Sequence, residues 1–155
     1  MGKDHIAPSD TLYVGAFGVG GQGAGDIRGL DETKKVKFVT LCDVDDRRAA
    51  ETYKKYPKAK KYKDFRKVYD KHLNEIDAIM VATPDHMHAP IALPFMRAKK
   101  HAYVEKPLTH SLEEAEILLK LTEQQGVKVQ VGHVERFNPA LLAMGNQLLQ
   151  PMFVE

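Results

Sequence analysis

The chain has 155 residues, of which 43% are hydrophobic and 28% are charged, as expected for a globular domain large enough to bury a core. Its formal net charge of +2 is too small to favour nucleic acid or a membrane surface as a partner. The single cysteine, Cys42, excludes an internal disulfide framework, and no apolar run is as long as a membrane span. We therefore expect a cytoplasmic chain with no nucleic-acid or membrane partner.

Five short apolar runs predict β-strands. They lack clean alternation of apolar and polar residues, which is typical of strands buried on both faces. Helical segments lie between them, so the pattern predicts an α/β fold: a Rossmann-type, doubly wound, mainly parallel sheet with helices on both faces. The predicted strands are Leu12–Gly18, Val36–Asp43, Asp77–Thr83, His101–Glu105 and Val127–Gly132, and the predicted helices are Gln22–Leu30, Asp45–Tyr56, Asp64–His72, His86–Lys99 and Leu112–Gln125.

A glycine-rich turn, within VGAFGVGGQGAGDI, joins the first predicted strand to the first helix. Gly18, Gly20 and Gly23 fit the pattern G-x-G-x-x-G. In a dinucleotide site this pattern provides a tight turn, close approach of the backbone to a pyrophosphate, and close packing of helix on strand. The N–H groups at the start of the helix then face the anion. Taken alone, the segment is equally compatible with a simple flexible turn.

Asp43 supplies the context that decides between these alternatives, because it ends the second predicted strand about 20 residues after Gly23. A carboxylate at this position accepts hydrogen bonds from an adenosine ribose, although capping of the next helix is an alternative role, which Asp45 fills equally well. We predict a dinucleotide cradle made of Gly18, Val19, Gly20, Gly21, Gln22, Asp43 and Arg47.

Charge at the cradle bears on the choice of cofactor. The Asp43 carboxylate would repel the 2′-phosphate of NADP, which favours NAD. Arg47 and Arg48 lie one turn later, where either side chain can reach a 2′-phosphate, so NADP stays possible. The alternative for both arginines is an exposed helix face, which we prefer.

Three later features concern the scaffold. The basic segment Lys54–Lys71 is interleaved with Tyr and Asp, which favours a solvated helix face over a nucleic-acid site. Pro94 should kink the helix predicted over His86–Lys99 or shift its start. The same helix ends at Lys99 and Lys100 without a glycine for a left-handed cap, at a cost of about 1 kcal/mol.

Polar residues follow the carboxyl ends of the last three predicted strands, where ligands of open α/β sheets bind. Lys106 can hold a substrate hydroxyl or assist proton transfer, although spacing alone favours an ion pair with Glu105 or another acid. The histidines lack a further ligand at a recognisable spacing, so we expect no metal. The residues at this edge are Thr83, Pro84, His86, His88, Glu105, Lys106, Pro107, His133 and Arg136.

Several segments resemble the N-terminal domain of the Gfo/Idh/MocA oxidoreductases, the family of glucose–fructose oxidoreductase and inositol dehydrogenase. They are GVGGQG, LCDVDDRRA, DAIMVATPDHMHAPIAL and above all HAYVEKPLTHSLEEA. The resemblance implies binding of NAD or NADP through the glycine loop, and hydride transfer between nicotinamide and a sugar, cyclitol or nucleotide sugar. It also implies that Lys106 is catalytic and lies at the nicotinamide, that the peptide before Pro107 is often cis, and that His133 and Arg136 face the substrate.

Members of this family are typically longer, with a C-terminal domain that supplies most substrate contacts and a base. The resemblance implies an N-terminal extension at 1–10, an NAD(P)-binding domain at 11–137, and a connecting helix with the start of the missing domain at 138–155. We expect this chain to bind cofactor with little or no turnover; the alternative is a stand-alone or engineered nucleotide-binding module. Apolar residues near the C terminus predict a homo-oligomer: Leu141, Leu142, Leu148, Leu149, Met152 and Phe153.

Overall fold

The computed structural model describes residues 10–133 and 138–148. In this part of the chain a sheet of six parallel strands has the order β3-β2-β1-β4-β5-β6, which confirms the doubly wound arrangement. The strands are β1 Leu12–Phe17, β2 Val36–Cys42, β3 Lys60–Tyr62, β4 Ala78–Val81, β5 His101–Val104 and β6 Val129–Val131. The helices are α1 Gln22–Glu32, α2 Asp46–Lys55, α3 Phe65–His72, α4 His88–Arg97, α5 Leu112–Gln125 and α6 Pro139–Leu148.

The edge strand β3 is absent from the elements that the sequence predicts. The expectation of a helix face over Lys54–Lys71 is therefore wrong in part, because this segment holds the end of α2, all of β3 and most of α3. Thr40 of β2 pairs with Lys60 of β3, and the partner of Cys42 is Tyr62. Exposed lysines on a short edge strand discourage pairing with another chain.

Side chains of the central strand β4 are buried on both faces, as its unbroken apolar run predicts. On β4, Ile79 and Val81 join the core formed with α3, α4 and α5, while Met80 belongs to the core formed with α1 and α2. Phe95 of α4 is fully buried against Phe17, with ring centroids 5.3 Å apart. Each such side chain contributes about 1.5–3 kcal/mol by its burial, so the sheet is fixed between two helical layers.

Helix α4 is shorter than predicted at both ends, covering His88–Arg97 instead of His86–Lys99. The helix begins at His88 instead of His86, because a 3-10 turn over Asp85–Met87 precedes it, and Pro94 lies inside it. Lys99 adopts the left-handed conformation with φ of 61°, which is the cap without glycine that the sequence implies. The Lys100 amide donates to the carbonyl of Phe95 at 3.0 Å and so closes the helix end.

No helix in the described residues has the length and apolar character needed to cross a bilayer.

Candidate cofactor-binding site

The turn between β1 and α1 has no room for side chains at its key glycines. Gly18 has φ of 74°, and a Cβ on it would lie 2.5 Å from the carbonyl oxygen of Ala82. A Cβ on Gly20 would lie 2.8 Å from the Arg48 carbonyl, and one on Gly23 would collide with the carbonyl of Gly18. These contacts are with backbone, which cannot move aside easily. The glycines are therefore needed for the packing of the turn against β4 and α2.

Asp43 fixes the conformation of this turn. Its Oδ2 accepts hydrogen bonds from the amides of Val19 at 2.9 Å and Gly20 at 3.1 Å, and its Oδ1 accepts from the amide of Asp45 at 3.0 Å. The Thr52 hydroxyl donates to the Val19 carbonyl at 2.7 Å from the other side. Thr52 is not among the predicted site residues, because its contact with Val19 depends on how α2 packs.

Asp45, not Asp43, caps α2. Its side chain accepts from the amides of Arg47 at 2.9 Å and Arg48 at 3.5 Å. These bonds lower the pKa of the Asp45 carboxyl, that from the Arg47 amide most of all. The two acids thus have separate roles, and the Asp43 carboxylate lies at the end of β2 beside the glycine turn.

A cavity of about 660 Å³ lies at the carboxyl ends of β1, β2 and β4, which is an ordinary size for a small-molecule site. The predicted residues that line it are Gly18, Gly20, Gln22, Asp43, Thr83, Pro84 and His86. The cavity is also lined by Val44, Lys63 and Phe65, which are not among the predicted site residues. Val44 follows Asp43 directly and is 79% exposed, so it offers an apolar surface at the mouth.

The start of α1 borders this cavity. Gly21 is the N-cap residue and makes no side-chain capping hydrogen bond, and Gln22 lines the cavity in the first turn. The early amides of a helix lack partners within the helix and carry a partial positive charge. The arrangement is suited to an anionic group.

The two arginines of α2 are placed differently. The Arg47 side chain is 93% exposed and pairs with Asp45, with Nε 3.4 Å from Oδ1. Arg48 lines the cavity, and its Nη2 lies 3.0 Å from where a Cβ on Gly21 would be. Of the two, Arg48 is the one that can meet a bound phosphate.

Thr83, at the end of β4, has a buried hydroxyl without a hydrogen-bond partner among the described residues. Thr83 also lines the cavity. Because a buried polar group without a partner is costly, this hydroxyl indicates a ligand or water position.

The EKP segment, Glu105–Pro107, follows β5. Glu105 is buried, and its carboxylate accepts from the Tyr103 hydroxyl at 2.8 Å and from the Lys106 amide at 3.2 Å. Burial, followed by the bond to Glu105, raises the pKa of Tyr103. Lys106 forms no ion pair with the acids of the described chain, and its side chain is exposed outside the lining of the cavity. The Lys106–Pro107 peptide is cis, as the resemblance implies.

Glu105 belongs to a small acidic cluster beneath α1. Gly132, after β6, leaves room for its carboxylate, since a Cβ there would collide with Oε1. On α1, Asp26 has one buried oxygen without a partner among the described residues. Its pKa is raised by burial and, to a lesser degree, by the charge of Glu105, while a bond from Gln22 opposes the change.

The three histidines of the predicted edge are separated by the fold. His86 lines the cavity, His133 is exposed after β6, and His88 is buried behind the EKP segment. Across residues 10–133 and 138–148, no cluster of three or more His, Cys, Asp or Glu side chains is suited to hold a metal. Arg136 lies outside the described residues.

Of the apolar residues expected to promote association, Leu141 and Leu142 are 44% and 52% exposed on α6. The other four lie outside the described side chains: Leu148, Leu149, Met152 and Phe153.

Residues 12–133 match the family described as "Oxidoreductase family, NAD-binding Rossmann fold". The chain is 32% identical over 138 residues to 4-carboxy-2-hydroxymuconate-6-semialdehyde dehydrogenase of Sphingobium sp., covering 89% of this chain and 43% of that enzyme. It is 26% identical over 152 residues to inositol 2-dehydrogenase of Salmonella typhimurium, covering 93% and 45%. The chain therefore spans less than half the length of these relatives.

Solved structures also resemble this chain over less than half of their length. Myo-inositol dehydrogenase from Lactobacillus casei, in complex with NAD(H) and myo-inositol, superposes with a TM-score of 0.75 at 26% identity, covering 89% of this chain and 41% of that one. GenD2 from gentamicin A biosynthesis, in complex with NAD, gives a TM-score of 0.81 at 22% identity, covering 95% and 41%. The likeness to GenD2 concerns the fold alone.

Proposed function

The chain belongs to the Gfo/Idh/MocA oxidoreductases as their NAD-binding domain, and from this premise we propose that it holds NAD for hydride transfer to or from a sugar or cyclitol. The observation that supports this most is the coupling of the glycine turn to Asp43 at the mouth of the cavity. The substrate and the activity are part of what we propose, because the chain covers less than half the length of these relatives.

The residues present fit NAD by three independent features. The turn has no space for a Cβ at Gly18, Gly20 or Gly23, so its backbone can approach a pyrophosphate closely. The start of α1 has no side-chain cap. Thr83 lines the cavity, and its buried hydroxyl lacks a partner in the described structure. Together they form a concave site for a phosphate-bearing ligand.

We assign the pyrophosphate to the segment Gly20–Gln22 and the adenosine ribose to Asp43. An ionised carboxylate has about four lone-pair positions, and the bonds from Val19, Gly20 and Asp45 occupy three. One position is left for a ribose hydroxyl. Val44 is exposed and lines the cavity beside Asp43, so its side chain would contact the adenine.

The same carboxylate favours NAD over NADP, because a 2′-phosphate beside it would face a like charge. Two cationic side chains, Arg48 and Lys63, also line the cavity. Lys63 is already engaged with Asp46, its Nζ lying 2.6 Å from Oδ2. Arg48 is the residue that would allow residual binding of NADP.

NAD would supply the hydride acceptor, and the chain's own residues position it. Lys106 would place its ammonium beside the substrate hydroxyl, where it would donate a hydrogen bond to the oxygen and orient it. The Glu105 carboxylate accepts a hydrogen bond from the Lys106 amide and so holds the backbone at this residue. A stand-alone module without turnover is the alternative, and the family match does not favour it.

The test is calorimetric titration of NAD and NADP into the wild type, Asp43→Ala and Asp43→Asn. We expect Asp43→Ala to weaken NAD binding by about tenfold or more, since it removes the ribose contact and frees the turn. Asp43→Asn keeps an acceptor oxygen without the charge, and should narrow the preference for NAD over NADP.

The matched control is Asp70→Ala, which removes an exposed carboxylate on α3 away from the cavity. It should leave both affinities unchanged. Unaltered NAD affinity in Asp43→Ala would show that the ribose assignment is wrong.

A further inference from the structure

His88 is a buried histidine whose two ring nitrogens both contact backbone carbonyls. Its Nδ1 lies 2.7 Å from the carbonyl oxygen of Pro107, and its Nε2 lies 2.8 Å from that of Thr83. The residue is 1% exposed and does not line the cavity. It is therefore screened from the cavity and can act only through the backbone segments that it contacts.

These two segments belong to different parts of the site. Thr83 lies just after β4 and lines the cavity, while Pro107 directly follows Lys106 and lies outside the lining of the cavity. The imidazole ring crosses between them as the first residue of α4. Its position is fixed in turn by that helix, which carries Phe95 and Met96 into the core.

The contact depends on the shape of histidine. The two ring nitrogens point in different directions from a rigid ring, so one side chain reaches carbonyls on two loops. Both partners accept hydrogen bonds and cannot donate, so a nitrogen bonds only where it carries a proton. A ring with one N–H serves one carbonyl, and a ring with two serves both. A flexible amide cannot reproduce this rigid span.

We propose that His88 is a positioning residue that fixes the EKP segment relative to Thr83 and thereby places Lys106 for the nicotinamide half of the cofactor. The effect on Lys106 and the cofactor rests on the proposed function. The link that His88 makes between Thr83 and Pro107, which we call the brace, is a property of the free chain. Loss of the ring should release Pro107 and Lys106 while leaving the Asp43 side of the cavity unchanged.

The ligand experiment compares NAD with ADP-ribose, which has the same adenosine and pyrophosphate but no nicotinamide. In the wild type we expect NAD to bind more tightly. In His88→Gln, NAD affinity should fall about three- to tenfold, and ADP-ribose affinity should stay within about twofold. His110→Gln, which alters an exposed histidine just beyond the EKP segment, is the matched control and should change neither.

The second measurement needs no ligand and is amide hydrogen exchange of the free chain. His88→Gln, or His88→Asn where the first variant folds poorly, should speed exchange of the Lys106 amide about tenfold. Exchange of the Val19 and Gly20 amides, which bond to Asp43, should not change. In the wild type, NMR coupling across a hydrogen bond from a His88 ring N–H to the Pro107 or Thr83 carbonyl is expected.

Equal loss of both ligands, or no change in either, would overturn the proposal, as would unchanged exchange at Lys106 or absence of the ring coupling. If the wild type binds neither NAD nor ADP-ribose, the proposed function fails. The exchange and coupling measurements then decide for or against the brace alone.

Discussion

The two ends of the site differ in how they present their key side chains. We call the region of the glycine turn, Asp43 and Arg48 the adenosine side, and the region of Glu105–Pro107 and His133 the EKP side. The adenosine side is a cavity of about 660 Å³ whose turn is fixed by hydrogen bonds. On the EKP side, Lys106 and His133 are exposed, although Glu105 and His88 behind them are buried.

From this difference we expect the adenosine side to contribute mainly to cofactor binding and the EKP side mainly to the reaction. Both regions lie at the carboxyl ends of parallel strands, where ligands of such sheets bind. The described residues alone form the cavity of the adenosine side. An effective hydride transfer needs the reacting atoms held at near-attack distance, and such positioning is worth about 7–11 kcal/mol in the best cases. We expect the EKP side to provide only part of that positioning.

The largest effect is expected from a substitution that disrupts the glycine turn of the adenosine side. In Gly18→Ala the new Cβ meets backbone atoms of Ala82 and Thr83, and the residue must keep a positive φ. Left-handed strain and overpacking together should lower the free energy of unfolding by about 3 kcal/mol or more, measured by urea denaturation, and abolish NAD binding.

Gly29→Ala provides the control in α1, the helix that follows this turn, since nothing lies within 4 Å of a Cβ at that position. It should raise stability by about 0.5–1 kcal/mol, because alanine is the better helix former. A Gly18→Ala protein as stable as Gly29→Ala would contradict the account of a turn packed against β4.

An intermediate effect is expected in the scaffold of the EKP side. Lys99 holds φ of 61° at the end of α4, the helix that carries His88. Lys99→Gly should remove this strain and raise the free energy of unfolding by about 1 kcal/mol, measured by thermal or urea denaturation. NAD affinity should not change, because the residue lies far along the helix from the cavity. A loss of stability would mean that the lysine side chain contributes more than its backbone costs.

The smallest effect is expected when the charge of Asp26 is removed from the acidic cluster beneath α1. Burial raises the pKa of Asp26, so the folded state holds the proton more tightly than the unfolded chain. Ionised Asp26 therefore costs stability above its folded pKa, and the cost disappears as pH falls through that value. Asp26→Asn should be more stable than the wild type at pH 7. This advantage should vanish below about pH 3.9, where the unfolded group is also protonated.

Stability curves of the two proteins from pH 3 to pH 8 provide the measurement. An advantage of Asp26→Asn that grows as pH falls would contradict the direction of the shift. The Gln22 amide, which donates to Asp26 at 3.0 Å, keeps an acceptor in the variant, so the comparison concerns mainly the charge.

The fold was accessible from sequence wherever a strand is buried on both faces. Ile79, Met80 and Val81 form such a run, and it predicts β4 correctly. The strand β3 has only three residues, Lys60–Tyr62, and two of them are lysines. It forms because its backbone pairs with β2, and an edge strand needs no apolar pattern to do so.

The sequence predicts that the glycine turn and Asp43 lie together, because both are constrained by local geometry, and the structure brings them together at the cavity. The choice between Arg47 and Arg48 required the rotational phase of α2, which buried Ala49 and Thr52 indicate and spacing from Asp43 does not. The two carbonyl contacts of His88 depend on where the EKP segment folds back. No pattern in the chain encodes that distance, so the sequence placed His88 only at the correct edge.

We expect the adenosine side to contribute most of the binding free energy of NAD. Calorimetric titration of the wild-type chain with NAD, ADP-ribose and nicotinamide mononucleotide tests it most directly. We expect ADP-ribose to bind within about tenfold of NAD, and nicotinamide mononucleotide to bind at least about a hundredfold more weakly than NAD. Binding of nicotinamide mononucleotide as tight as that of NAD, with no measurable binding of ADP-ribose, would contradict the account.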